Sequence, residues 1–95
     1  MEKRTDQIVV LQNNKKYYIM QQIVYREENY FVVAEATDDE QDLKEKFAIL
    51  HETIEDGESY IEFCKDAKIL AKFIKYVGKE KYDFVNLDET EKKKK

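Results

Sequence analysis

The sequence has no proline, no tryptophan, two glycines and one cysteine among its 95 residues. Because Cys64 is alone, an internal disulfide is excluded, which fits a reducing compartment. Long apolar runs are absent too, since the longest have four residues, as at 8–11 and 31–34. A membrane span needs about 20 apolar residues, and no signal-like apolar core follows Met1. We therefore predict a cytoplasmic protein that does not contact a membrane.

The chain is rich in charged residues (40%) but still carries 42% hydrophobic and 13% aromatic residues. The aromatic and β-branched content argues against global disorder, and the length leaves room for one domain. We predict a flexible N-terminus at residues 1–6, one domain at 7–84 and a disordered charged tail at 85–95. The net charge of −4 hides a segregation, because residues 27–58 hold 12 acidic residues against two lysines. The segments on either side are basic, a distribution that bears on partners rather than on the fold.

Residues 7–64 follow a β pattern of short alternating apolar runs separated by turn signals. We predict strands at 7–11, 16–25, 30–36, 45–54 and 60–64. The turns fall at Asn13-Asn14, at 26–29, in the acidic loop 37–43 and at Asp56-Gly57, which suits a type I′ hairpin. Strict alternation in the second strand would place Ile19, Ile23 and Tyr25 on one face. The pattern predicts a five-stranded antiparallel β-meander.

A helical period replaces this pattern after residue 65. Apolar residues recur at Leu70, Phe73, Ile74 and Val77, the spacing of an amphipathic helix. Asp66 is suited to the N-cap and Gly78 to the C-terminal stop. A helix of about 12 residues is unstable alone in water, so it must pack on the sheet. The predicted fold class is α+β, with one C-terminal amphipathic helix on one face of the meander.

The order of these elements resembles one family of small bacterial domains. The matching features span most of residues 7–84. They are the Asn-rich turn, the Tyr-Phe-Val-Val strand at 30–33, the acidic loop, the Glu-Asp-Gly-Glu turn at 55–58 and Asp66 before a helix. In this order the chain resembles the YrzB-like domains of unknown function of low-GC Gram-positive bacteria. The family is uncharacterised, so the resemblance implies no catalytic or ligand residues. Its members are more acidic towards the C-terminus than this chain.

Side chains with catalytic or metal-binding chemistry are few. His51 and Cys64 lack the local signature of a Cys–His pair and are too few for a structural zinc site. The acidic segment at 38–42 lacks the glycine and the ligand spacing of an EF-hand. We therefore predict no enzyme activity, no metal and no cofactor.

Two surfaces are candidates for interaction. A lysine stripe opposite the apolar face of the helix would comprise Lys65, Lys68, Lys72, Lys75 and Lys79. It could simply solvate the helix, contact an acidic protein surface, or follow a nucleic-acid backbone. The other candidate is the face of the sheet that one helix leaves uncovered, with Tyr18, Tyr25 and Tyr30 as its aromatic residues. We expect a protein-interaction (adaptor or regulatory) module that binds another protein or itself. The alternative is a nucleic-acid-associated accessory protein that uses the lysines.

Overall fold

The computed structural model describes residues 4–77 and 84–88. Within these residues the strands are β1 (Ile8–Val10), β2 (Lys16–Tyr25), β3 (Glu28–Ala36), β4 (Leu43–Glu55), β5 (Glu58–Phe63) and β6 (Phe84–Asn86). The helix α1 (Ala67–Phe73) leads directly into a 3-10 turn at Ile74–Tyr76. Strands β1 to β5 lie in chain order as an antiparallel sheet, and β6 pairs in parallel with β2. The predicted α+β class and antiparallel meander are confirmed, and β6 is an addition.

A β-bulge in β2 changes which residues share a face. Ile19 lies opposite Val33, whereas Gln21 lies opposite Val32, so β2 has one extra residue at Met20. One extra residue moves every later side chain to the other face of the sheet. The prediction that Ile19 and Ile23 share a face is therefore wrong. Ile19 belongs to one core cluster and Ile23 to the other.

The sheet curls into a half-barrel, and its inner side is the concave face. The rings of Tyr17 on β2 and Phe63 on β5 contact edge to face, 5.7 Å apart, although two strands separate them in the sheet. Val9, Leu11 and Ile61 pack against the same cluster from β1, the turn after it and β5. The buried residues of the concave face are Tyr17, Ile19, Phe31, Val33 and Leu50.

The outer, convex face has a second core of Ile23, Tyr25, Tyr30 and Val32, which Phe73 and Leu87 cover. Asp66 caps α1 as predicted, because its carboxylate accepts from the backbone N–H of Lys68 at 2.9 Å and of Ile69 at 3.4 Å. The α-helix has seven residues rather than about 12, since the chain tightens into the 3-10 turn and becomes extended at Val77. Gly78 lies outside the described residues.

The segment 84–88 belongs to the fold. Strand β6 pairs with residues 22–24 of β2, and Leu87 is buried in the convex core. The Asp88 carboxylate accepts from the backbone N–H of Arg26 at 2.6 Å and of Glu27 at 2.7 Å. The predicted disordered tail is therefore wrong for residues 85–88, and the rest of it lies outside the described residues. Arg4 and Asp6, which lie in the predicted flexible N-terminus, form hydrogen bonds with β2.

Candidate functional site

An apolar groove opens on the convex face beside the end of α1. It encloses about 380 Å³ between the helical segment and the strands β3 to β5. Phe47 (60% exposed) and Ile74 (71% exposed) stand at its rim. Its lining residues are Val32, Phe47, Ala48, Ile49, Phe63, Cys64, Leu70, Ile74 and Val77. Both its size and its apolar lining fall in the range of binding clefts.

The groove exists because α1 covers only part of the convex face. Phe73 anchors the helix over Tyr25 and Tyr30, with ring centroids 5.8 Å and 5.0 Å away. Strand β5 pairs with β4 only from Leu50 to Glu55, although β4 begins at Leu43. The first half of β4, before Leu50, therefore extends beyond the end of β5. Among the described residues nothing covers Phe47 there.

Charged residues of opposite sign occur in the two chain segments that supply the groove. Strand β4, which supplies Phe47, follows an exposed acidic segment with Asp38, Asp39, Glu40 and Asp42. In this segment only Glu40 forms an ion pair among the described residues, at 3.0 Å from Lys16 Nζ. The opposite wall is the helical segment, which carries three exposed lysines, Lys68, Lys72 and Lys75. Lys46, next to Phe47, is exposed as well, so the acidic residues lie before β4 and not at the lining of the groove.

The predicted lysine stripe lies at the surface. Lys65, Lys68, Lys72 and Lys75 are all exposed, and Lys79 lies outside the described residues. Lys72 Nζ is 5.0 Å from the centroid of the Tyr25 ring, and Lys75 Nζ is 5.2 Å from that of Tyr76. These two ammonium groups thus form cation–π contacts with aromatic rings of the same chain.

The tyrosines predicted for an exposed face are largely inside. Tyr25 and Tyr30 lie under α1, so their assignment to an interaction surface is wrong. Burial, with the neighbouring Glu28 carboxylate, raises the pKa of Tyr30 to about 12. Tyr18 is half-buried, and its hydroxyl donates to Asp6, which raises the pKa of Tyr18. The bulge in β2 turns Tyr25 to the face that α1 covers, whereas Tyr30 reaches the same face from β3.

The exposed apolar residues at the groove were not selected from the sequence. Phe47 has the alternating pattern of a strand residue, and Ile74 falls at the apolar spacing of the predicted helix, so the sequence does not distinguish them from core residues. The structure separates them through the short length of α1. A helix that ends at Phe73 cannot hold Ile74 against the sheet in the same way.

A buried polar cluster occupies one end of the concave face, and it too was missed. Glu52 is 2% exposed and forms an ion pair with Arg4. Its carboxylate also accepts from Ser59 Oγ at 2.5 Å and Asn29 Nδ2 at 3.0 Å. Burial alone would raise the pKa of Glu52, but these hydrogen bonds from Ser59, Asn29 and Arg4 outweigh burial and lower the pKa. The carboxylate is therefore ionised inside the protein.

His51 and Cys64 have separate environments. The His51 ring stacks on Tyr30 with centroids 4.5 Å apart, and its Nε2 lies 3.1 Å from Glu28 Oε1. The half-buried Cys64 lines the groove, and its backbone N–H donates to Ile49. Within residues 4–77 and 84–88 no group of three or more His, Cys, Asp or Glu side chains is placed to hold a metal ion.

Comparison with known proteins gives no relative. No family model matches the chain, and no curated protein and no solved structure is significantly similar to it. The resemblance to the YrzB-like domains stays a prediction. In the described part of the chain, no helix has both the length and the apolar character needed to cross a membrane.

Proposed function

We propose that this protein is a non-enzymatic interaction module that pairs with a second copy of itself through the convex groove. The observation that carries the proposal is Phe47, a largely exposed aromatic side chain at the rim of an apolar cavity. Large apolar side chains exposed together on a folded domain commonly mark an interface. Aromatic residues are also enriched at the centres of interfaces.

The groove and its rim are complementary to each other. A two-fold symmetric dimer uses the same patch on both copies, so the patch must offer both a projection and a recess. Phe47 is the projection, and the space between Ile49, Leu70 and Ile74 is the recess. In the proposed dimer, Phe47 of each copy enters the groove of the other. Phe47 and Ile74 would both become buried.

The acidic segment before β4 and the helical lysines are consistent with the same pairing. A two-fold axis through the groove exchanges its walls, so the acidic segment before β4 would face the partner's helical lysines. Opposite charges would then meet on both sides of the dimer, which favours this orientation over others. A different protein whose surface carries charge of one sign would be complementary to only one of the two walls.

Support for a non-enzymatic role comes from the buried carboxylates. Glu35 and Glu52 are the buried acidic residues of the described chain. Lys44 Nζ donates to Glu35 at 2.7 Å, and this bond lowers the pKa of Glu35. Glu52 has the partners described above. Both carboxylates are occupied by contacts that stabilise the fold, rather than being poised for proton transfer near neutral pH.

Sedimentation velocity over a concentration series tests the proposal. Wild type should sediment as a dimer that dissociates on dilution. Phe47→Lys should raise the dissociation constant at least tenfold, which corresponds to about 1.4 kcal/mol. The matched control is Ile54→Lys, because Ile54 is equally exposed (63%) on the same strand but outside the groove. A wild-type monomer at all concentrations, or equal effects of the two substitutions, would refute self-pairing.

A second measurement separates self-pairing from docking of another protein. Tagged wild type, Phe47→Lys and Ile54→Lys are used to capture partners from native lysate, with and without nuclease. If the chain is monomeric and another protein is captured by wild type and Ile54→Lys but not by Phe47→Lys, the groove serves that protein instead. Under our proposal, no such groove-dependent partner is stoichiometric.

The exposure of four lysines supports a second candidate, a nucleic-acid-associated accessory protein. Its signature is affinity that falls steeply with salt, since each phosphate contact releases counterions. Replacing Lys65, Lys68, Lys72 and Lys75 by Gln should abolish such binding. The same replacement should leave the Phe47-dependent contact in place, although it would weaken the dimer through the lost charge pairs.

A further inference from the structure

The polar cluster on the concave face contains more than a simple ion pair. The Arg4 guanidinium meets the Glu52 carboxylate, whose side chain is 1% exposed, and its carbon lies 5.7 Å from the centroid of the Phe31 ring. The Arg4 side chain itself is 31% exposed, so it reaches the site from the solvent side. A carboxylate beside an aromatic face is the environment that a planar guanidinium group favours, through charge-assisted hydrogen bonds and cation–π attraction.

The residues around the guanidinium are placed by the strands and by hydrogen bonds among their own side chains. Asn29 and Glu52 are direct partners across β3 and β4, and Phe31 follows two positions along β3 on the same face. Gln22 Nε2 donates to Asn29 Oδ1 at 3.0 Å, which turns the Asn29 amide nitrogen towards Glu52 Oε1. The second oxygen of Glu52 accepts from Ser59. The site is therefore fixed by strands of the central sheet.

Arg4, in contrast, reaches this site on a segment that lies outside the regular strands. Residues 4–7 precede β1 and form no regular strand. Their backbone is held by bonds from Arg4 N to Gln22 Oε1 (2.7 Å), from Asp6 N to the Ile19 carbonyl (2.9 Å), and from Ile19 N to the Gln7 carbonyl (2.9 Å). Segments with few bonds and partial exposure open at a lower free energy than the core.

We propose that Glu52, Asn29 and Phe31 form a guanidinium-binding site, which Arg4 fills from within the chain and which accepts the guanidinium of another molecule when residues 4–7 detach. The site lies on the face opposite the groove and does not depend on the proposed dimer. An ammonium group would satisfy the charge of Glu52 but would not present the fixed planar set of donors that a guanidinium offers to a carboxylate.

The test uses the full chain with Arg4→Ala and methylguanidinium as the probe. The substitution exposes the site and lowers the Tm by about 5–15 °C, because Glu52 loses its counter-ion. Methylguanidinium at millimolar concentration should raise the Tm of Arg4→Ala saturably and shift the Asn29 side-chain amide resonance. Methylammonium at equal ionic strength should do so less. Wild type, and the double variant Arg4→Ala with Glu52→Gln, should not respond.

Two further experiments distinguish the remaining outcomes. If Arg4→Ala does not fold, Arg4→Lys is used, since it keeps a positive charge near Glu52 but removes the guanidinium. A short blocked peptide with one arginine, compared with methylguanidinium, distinguishes a protein arginine from a free small cation as the source. Tighter binding of the peptide assigns the former, and equal or weaker binding assigns the latter. An identical response of Arg4→Ala and the double variant to methylguanidinium would overturn the proposal.

Discussion

The concave and convex faces of this sheet use alternate residues of the same strands but are closed in different ways. On the concave face the curl of the sheet brings β1 and β5 together, and Arg4 and Glu52 fill the remaining end. The convex face depends on elements added from outside, a short helix and the segment 84–88. That cover ends near Phe73, and the groove begins there.

The difference indicates where stability and where binding reside. A face closed by its own strands buries large apolar residues at its centre, as at Phe31 and Leu50, which are fully buried. A face covered by a short helix leaves apolar side chains such as Phe47 exposed. We infer that the concave face mainly stabilises the fold and that the convex face is available to a second chain.

The largest effect should come from removing the anchor of α1. Phe73 is fully buried between Tyr25 and Tyr30, so Phe73→Ala should reduce the free energy of unfolding by about 4 kcal/mol. Its neighbour Ile74 is largely exposed, so Ile74→Ala should change stability by less than about 0.5 kcal/mol. Urea denaturation of both variants gives the comparison. Similar losses would mean that the convex core is not arranged around Phe73.

The buried carboxylate of the concave face should give the next largest effect. Glu52→Gln should lower stability by about 2–3 kcal/mol near neutral pH, because it removes the charge that pairs with Arg4. The pKa of Glu52 is lowered below its ordinary 4.5 in the folded protein. Its contribution is therefore fully present above the unfolded-state pKa and is lost as the pH falls through the folded-state pKa.

This linkage gives a distinctive pH profile. Below about pH 4.5 wild type should lose stability faster than Glu52→Gln, so that the two curves approach each other. Glu35, whose pKa is also lowered by its bond from Lys44, titrates in both proteins and cancels in the comparison. Denaturation series across the acidic range measure the profile. If the stability curves of the two proteins stay parallel, the ionisation of Glu52 does not contribute to the pH dependence of stability.

A smaller effect should follow from uncapping the β2–β3 turn. Asp88→Ala removes two hydrogen bonds to the backbone of Arg26 and Glu27, and we expect a loss of about 1–2 kcal/mol. Asp88→Asn keeps one acceptor oxygen and should lose less. Amide hydrogen exchange at Arg26 and Glu27 reports the same contact. Unchanged exchange in Asp88→Ala would show that segment 84–88 does not stabilise the β2–β3 turn.

The smallest effect on stability should come from the lysines. Replacing Lys65, Lys68, Lys72 and Lys75 by Gln should change the free energy of unfolding by less than about 1 kcal/mol, because exposed charges contribute little. Thermal unfolding at low and at high salt measures the effect. A loss of several kcal/mol would show that the cation–π contacts of Lys72 and Lys75 hold α1 in place.

Much of the fold was predictable because local signals and tertiary structure agree. The Asp56-Gly57 turn has both residues at positive φ (51° and 81°), as a type I′ hairpin requires. The Asp66 cap was also predictable. The β2–β3 turn was placed two residues too long, since Arg26 and Glu27 adopt positive φ (52° and 64°) without glycine or asparagine.

What could not be predicted depends on contacts distant in sequence. The strained Arg26-Glu27 turn is bound by Asp88, about 60 residues away, in a segment without a strand-like pattern of its own. The bulge at Met20 leaves no glycine signal, yet it decides which face of the sheet Tyr25 occupies. The groove follows from where α1 ends, and both the bulge and this end point are properties of packing.

The most direct test of the account is an isotope-filtered NOE experiment on a mixed sample. One population carries labelled Ile and Leu methyl groups, and the other is unlabelled. We predict intermolecular NOEs from the Phe47 ring to the methyl groups of Ile49, Leu70 and Ile74 at concentrations where the chain is dimeric. Intermolecular NOEs to the Ile54 methyl groups instead, or none in a dimeric sample, would contradict the claim that the convex groove joins two copies.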